Sequence, residues 1–265
     1  MKRTAVALTG GLALALTAAP AMADEHESSV SVLHGVPGLT VDVYVNGEEA
    51  IPDFAPGTLT DPLTLAAGSY DIDVYADGSD PEADEPAISA QGIEVPGGAN
   101  LTLVAHLGAD GTPTLSAFAN DTSQLETGEA RLTVRHTAAA PAVDVRAGGE
   151  AVIQALENPN EQVLDLPAGT VSADVVAAGT DTVVLGPADV PLNAGTHTIV
   201  YAWGSLDDDN LDLAIQTIDG LHGDPGGVPS GEAGLVGGNT AALWILAAAG
   251  AAGVALASRR LADAR

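Results

Sequence analysis

The sequence predicts an all-β protein built from two tandem antiparallel β-sandwich domains. Three observations predict it. Apolar residues alternate with polar ones at a period of two through the interior of the chain. Turn residues such as Asn46-Gly47, Asp77-Gly78, Pro96-Gly97-Gly98, Asp110-Gly111 and Asn193-Ala194-Gly195 separate these runs at short intervals. Finally, the stretch from Val30 to Gly47 (VSVLHGVPGLTVDVYVNG) returns from Leu132 to Gly149 (LTVRHTAAAPAVDVRAGG), at a constant offset that aligns Val, His, Val-Asp-Val and Gly without a gap. Such self-similarity marks an internal duplication.

Taken in order, the chain opens with Lys2 and Arg3 before an apolar run from Ala5 to Ala19. Ala21-Met22-Ala23 then places small residues where a signal peptidase cuts, so residues 1–23 read as a removed signal peptide. The first sandwich is assigned to residues 28–125. There Val30 and Val32, then Val41, Val43 and Val45, face one way while Ser31, Asp42, Tyr44 and Asn46 face the other. Leu63 and Leu65, Ile72 and Val74, Leu101 and Leu103, and Leu115 with Ala117 continue the pattern. The second sandwich, residues 129–220, answers with Val163 to Leu166, Val171 to Val176, Thr198 to Ala202 and Leu211 to Ile215. Short strands in units of about 100 residues point to immunoglobulin-like architecture.

Residues 221–239 are rich in glycine with two prolines and read as a flexible stalk. Thr240 to Ala257 carries no charge. As an α-helix it reaches about 27 Å, a minimal span for a bilayer core of about 30 Å. Arg259 and Arg260 follow at once, so residues 258–265 are expected as a cytoplasmic tail, with the bulk of the chain outside the cell.

The charge balance narrows the partners. Asp and Glu total 36 against 8 Lys and Arg, a net charge of −28. Between the two ends the only basic residues are Arg131, Arg135 and Arg146. A body this acidic repels phosphate backbones, so nucleic acid is not an expected partner; the expected partners are a surface ligand or cell-envelope component, and the membrane through the C-terminal helix. There is no cysteine, hence no disulfide and no thiolate chemistry. Aromatic residues are 3% of the chain, so the cores rest on Val, Leu, Ile and Ala.

The H-x-x-P-x-x-x-V-D-V-Y-V-x-G run from His34 to Gly47, the L-x-A-G-x-Y-x-I-x-V run from Leu65 to Val74 and the tandem arrangement resemble the bacterial domain of unknown function family 4397. The likeness covers most of Val30 to Ile218. The second copy departs from it, with Arg146 in the place of Tyr44 and its proline, Pro141, out of register with Pro37. The resemblance implies an exported, cell-surface setting and transfers no catalytic residue.

Candidate chemistry then rests on the side chains themselves. His34 and His136 recur on the inward parity of the valines before them, which suits an imidazole held by a backbone carbonyl better than a metal ligand. Asp42 and Asp144 recur too, placed to solvate the outer face or bond a neighbouring turn. Calcium is the cofactor that the acids suggest: Asp73, Asp77, Asp80 and Asp84 partly echo a twelve-residue calcium loop with Gly78 at its sixth place, and Asp207, Asp208 and Asp209 cluster at a hairpin tip. The echo lacks an acid at the third place and a final Glu. For ligand recognition the scarce aromatics Tyr44, Tyr75 and Trp203 are the candidates, with Trp203 equally suited to capping the second core. No G-x-S-x-G, H-E-x-x-H, Walker or dinucleotide motif is present, so no catalytic residue is assigned and an enzyme is not expected. The expected function is that of a membrane-anchored cell-surface protein in a structural, adhesive or ligand-binding role. The alternatives are a calcium- or carbohydrate-binding module and, behind them, a surface hydrolase.

Overall fold

The computed structural model describes residues 27–222, all of it strand, turn and loop. The expected signal peptide, the transmembrane helix, the tail and all but the first two residues of the stalk lie outside the described residues. Among those described, no helix is long and apolar enough to cross a membrane.

Among the described residues, sixteen strands form four sheets of four. The first half supplies β1 (Glu27–Gly35), β2 (Val41–Val45), β3 (Glu48–Phe54), β4 (Leu63–Ala66), β5 (Gly68–Ala76), β6 (Ile88–Val95), β7 (Asn100–Leu107) and β8 (Pro113–Ala119). They assemble in the orders β4-β1-β7-β8 and β3-β2-β5-β6. The second half supplies β9 (Glu129–Ala139), β10 (Val143–Ala147), β11 (Glu150–Leu156), β12 (Glu161–Pro167), β13 (Gly169–Ala177), β14 (Val183–Leu192), β15 (His197–Ser205) and β16 (Asp212–Ile218). Their orders, β12-β9-β15-β16 and β11-β10-β13-β14, repeat the first half strand for strand.

The period of two places each core. Val30, Val32, Leu101 and Leu103 on one sheet of the first sandwich meet Val41, Val43, Ile72 and Val74 on the other. In the second, Leu132, Val134 and Val200 meet Val143, Val145 and Val175. Asn46 and Gly47, at φ of 52° and 81°, close the β2–β3 hairpin with two left-handed residues, the geometry that two-residue hairpin turns favour. Gly148 and Gly149, at 61° and 87°, do the same for β10–β11.

One expectation needs correction. The sandwiches are not wholly antiparallel: β1 runs parallel to β7 and β9 runs parallel to β15. Alternation could not reveal this, because parallel and antiparallel ladders share the same side-chain period.

The two sandwiches pack on each other through a third core. Leu33, Val104 and Phe118 of sheet β4-β1-β7-β8 meet Ile199, Tyr201, Trp203 and Ala214 of sheet β12-β9-β15-β16. Strands β1, β7, β9 and β15 are thus covered on both faces, and every residue of β15 is buried. Three of the few aromatic residues sit here, where their large area compensates for the aliphatic cores on either side. The folded body also takes in Leu221 and His222, at the start of the segment read as stalk. Leu221 is buried, bonds Gly195 O through its own N–H and accepts from Leu125 N.

Candidate functional site

The duplicated histidines are fixed by the chain around them. His34 Nε2 lies 2.7 Å from Leu39 O, and His136 Nε2 lies 3.0 Å from Pro141 O, so each donates across the turn that leads to the next strand. Each Nδ1 faces a backbone N–H two residues on, that of Val36 or Ala138. Both imidazoles are buried and held neutral, their pKa values lowered chiefly by burial. With both ring nitrogens engaged, neither residue is free to ligate a metal or transfer a proton.

Asp42 and Asp144 serve the backbone as well. Asp42 Oδ1 accepts from Asp53 N at 2.9 Å, and Asp144 Oδ1 accepts from Ala155 N at 2.7 Å. Asp53 and Ala155 are left-handed, with φ of 51° and 50°, beside the register shifts that mark bulges in β3 and β11. Asp144 Oδ2 further accepts from Gly179 N. Those amides hold the Asp144 carboxyl below its usual pKa.

The acids proposed for calcium are dispersed. Asp84 Oδ2 accepts from Asp80 N and Asp80 Oδ1 from Glu82 N, so these two organise their own turn. Asp73 stands on β5, opposite Tyr44 and Ser89. Asp207, Asp208 and Asp209 occupy the β15–β16 turn, with Asp208 N facing Ser205 Oγ. Of the seven, Asp77 alone joins the group of three acids, among the described residues, able to reach a common point: Asp42, Asp53 and Asp77, whose carboxylate oxygens lie within 4.8 Å of one another. Sequence spacing missed this group because its members come from β2, the β3 bulge and the turn after β5. The second sandwich has Ala155 and Ala178 in the places of Asp53 and Asp77.

The aromatic candidates part company. Tyr44 and Tyr75 form an edge-to-face pair, centroids 5.3 Å apart, on the outer face of sheet β3-β2-β5-β6, with Tyr75 largely covered. Trp203 is not a surface residue: it is 8% exposed and lies in the third core against Gly35 and Gly57. It caps the junction of the two sandwiches rather than the second core alone, because the strand carrying it is sandwiched between sheets.

What sequence reasoning missed lies at that junction. Arg135, 1% exposed, donates Nε–H to Glu161 Oε2 (2.7 Å), Nη1–H to the Tyr201 hydroxyl (2.7 Å) and Nη2–H to Asn120 Oδ1 (2.9 Å), with its guanidinium over the Phe118 ring. Tyr201 passes its own hydrogen to Gln216 Oε1 at 2.6 Å. Asn120 donates to Thr102 Oγ1 and Asn100 Oδ1, and Thr102 donates to Gln216 Oε1. Arg131 anchors the connector by bonding Asp165, Ser123 and Asp121. His197 donates Nδ1–H to Asp121 O and accepts at Nε2 from Thr133. Burial, reinforced by Arg131 and Arg135, pushes its pKa down to about 4. A sequence cue existed in the R-x-T-x-R spacing of Arg131, Thr133 and Arg135, which puts the only neighbouring cations of an acidic body on one face of one strand.

Beside this network a cleft of about 300 Å³ opens between the sandwiches, lined by residues of both, including Ser31, Asn100, Asp61, Gln216 and Asp219. The cavities inside the two aliphatic cores are far smaller, about 40 and 50 Å³.

Fold and junction define an all-β protein of two like sandwiches fused through a buried polar and aromatic seam. Residues 28–146 match the family described as "Domain of unknown function (DUF4397)". The match begins at the second residue of β1 and ends within β10. No curated protein matches the chain.

Proposed function

We propose that this is an exported, membrane-anchored bacterial cell-surface protein whose tandem immunoglobulin-like ectodomain serves a structural, adhesive or ligand-binding role. The observation that carries the reading is the order of the chain: a cleavable targeting segment, an acidic all-β body, a glycine-rich stalk, and an uncharged run closed by Arg259 and Arg260. The immunoglobulin-like description is supported by paired four-stranded sheets in which the first strand lies parallel to the penultimate one. Support for a non-catalytic role comes from the recurring His and Asp residues, whose bonds are made to backbone groups of the fold.

Protease treatment of intact cells tests the placement. The body should be cleaved while a cytoplasmic control stays whole, and a stop codon after Asn239 should release the protein into the medium. Protection of the body on intact cells, or retention of the truncated chain, would overturn the assignment.

The second reading is a binding module for carbohydrate or calcium, favoured by the cleft between the sandwiches and by the meeting of Asp42, Asp53 and Asp77. Calcium binding to the native state raises the melting temperature by mass action. A transition unmoved by millimolar calcium would remove the ion from consideration.

A further inference from the structure

The cleft between the sandwiches has a floor whose hydrogen-bonding sense is dictated by one buried cation. Arginine can only donate. Because Arg135 donates to both Tyr201 and Asn120, the Tyr201 hydrogen must go to Gln216 Oε1, and the Asn120 amide nitrogen must face Thr102 and Asn100. Thr102, accepting from Asn120, likewise gives its hydrogen to Gln216 Oε1. Both lone pairs of the Gln216 oxygen are therefore occupied and the oxygen of Asn100 is engaged. The orientation of both carboxamides follows: oxygens inward, nitrogens left over. Among the described residues, Gln216 Nε2, Asn100 Nδ2 and the Ser31 hydroxyl have no protein partner, and all three residues line the cleft. Gln216 is 6% exposed and Ser31 3%, and both border the cleft.

The rest of the lining has a different character. Asp61 and Asp219 are exposed acceptors, and Ile215, 49% exposed, gives an aliphatic wall. A matching ligand accepts hydrogen bonds at the floor, donates them to carboxylates, and lays an apolar face on the wall. An anion satisfies the floor but is repelled by Asp61, Asp219 and a chain of net charge −28. An ammonium group satisfies the two carboxylates and cannot accept from the floor. A hydroxyl does both, and a sugar ring adds the C–H face. The volume lies at the lower end of the ~300–1,000 Å³ range of small-molecule pockets. We infer that the inter-sandwich cleft is a binding site for a neutral saccharide, with Gln216, Asn100 and Ser31 donating to its oxygens and Asp61 and Asp219 accepting from its hydroxyls. The inference rests on the ligand-binding reading above and names its site. Without an aromatic platform in the cleft, binding is expected in the millimolar range, since stacking adds nothing to the hydrogen bonds.

The test uses the full chain, 15N-labelled and purified in a detergent without a sugar head group. It is titrated with glucose, galactose, mannose, N-acetylglucosamine and their β-linked disaccharides, while backbone and side-chain amide resonances are followed. Saturable shifts confined to Gln216, Asn100 and their neighbours are expected with at least one sugar. Ser31→Ala, which removes one hydroxyl, should weaken binding about five- to tenfold. Thr217→Trp, which fills the cleft from an exposed position on β16, should abolish it with the melting temperature retained. No shift with any sugar at 50 mM would overturn the ligand class, as would saturable shifts at these residues with a lysine-rich peptide alone. Sugar binding that survives both substitutions would overturn the site while leaving a ligand-binding ectodomain intact.

Discussion

Arg135 donates to the Tyr201 hydroxyl at 2.7 Å while its guanidinium carbon lies 5.3 Å from the centre of the Tyr201 ring. Both side chains spring from the second sandwich and stand over the first, where Asn120 and Phe118 complete the cage. Removing one partner from such a buried cluster leaves the others unsatisfied and typically costs about 3–5 kcal/mol. Because Glu161 stays partly solvated, Arg135→Ala should lose about 3 kcal/mol in denaturant unfolding. Arg135→Lys should recover little of it, since one ammonium cannot reach Glu161, Tyr201 and Asn120 in three directions. A loss under 1 kcal/mol would show that the cluster contributes little to holding the sandwiches together.

Gly57 presses on the same junction. Its φ is 75°, and a Cβ there would sit 2.8 Å from Cζ2 of Trp203, whose ring is buried and cannot swing aside. Gly57→Ala should lower stability by about 2 kcal/mol or more, through left-handed strain and overpacking together. Gly47→Ala, at φ of 81° with open space around it, isolates the strain alone and should cost less. Equal melting temperatures for the two variants would contradict this packing.

The aspartate under each bulge gives a paired prediction. Asp144→Ala frees the amides of Ala155 and Gly179 and should lower the melting temperature, as loss of a helix cap does. Ala155→Gly relieves a left-handed alanine and should stabilise by about 0.5 kcal/mol, after the extra entropy of unfolded glycine is subtracted. Thermal melts of both variants against the parent would check the signs.

Acid should unfold the protein earlier than its carboxylates alone dictate. The pKa of His197 falls from 6.5 to about 4 on folding, so the unfolded chain takes up the proton first. The stability it contributes is complete above pH 6.5 and is lost as pH falls from there towards 4. His34, His106 and His136 shift in the same direction. Unfolding free energy measured between pH 7 and 4 should therefore drop, and His197→Gln should flatten the slope in that window. An unchanged slope would mean that His197 is not held neutral.

Much of this architecture can be read from residues alone, and the omissions follow a rule. Strands whose valines alternate between core and water, such as β2, β5 and β10, were plain in the sequence. Four others, β3, β6, β11 and β14, gave no clear alternation, and all four are edges of the sheets β3-β2-β5-β6 and β11-β10-β13-β14. Paired on one side only, they tolerate Pro52, Gly92 and Pro187, and bulges at Asp53 and Ala155 break the period. The recurring histidines and aspartates serve the backbone, as parity and flanking valines suggest, because these fix where such side chains point. The junction was out of reach. An isolated arginine among acids looks like a surface charge until a second sheet is laid over it, and Gln216 gains meaning only when Tyr201 and Thr102 converge on its oxygen.

The Leu125–His222 bridge places the last described residues of the chain beside the connector that joins the two halves. Tension drawn on that end does not enter through the second sandwich alone. It divides between the halves at the point where they are spliced, so under pulling they should give way together, in one long extension instead of two shorter steps.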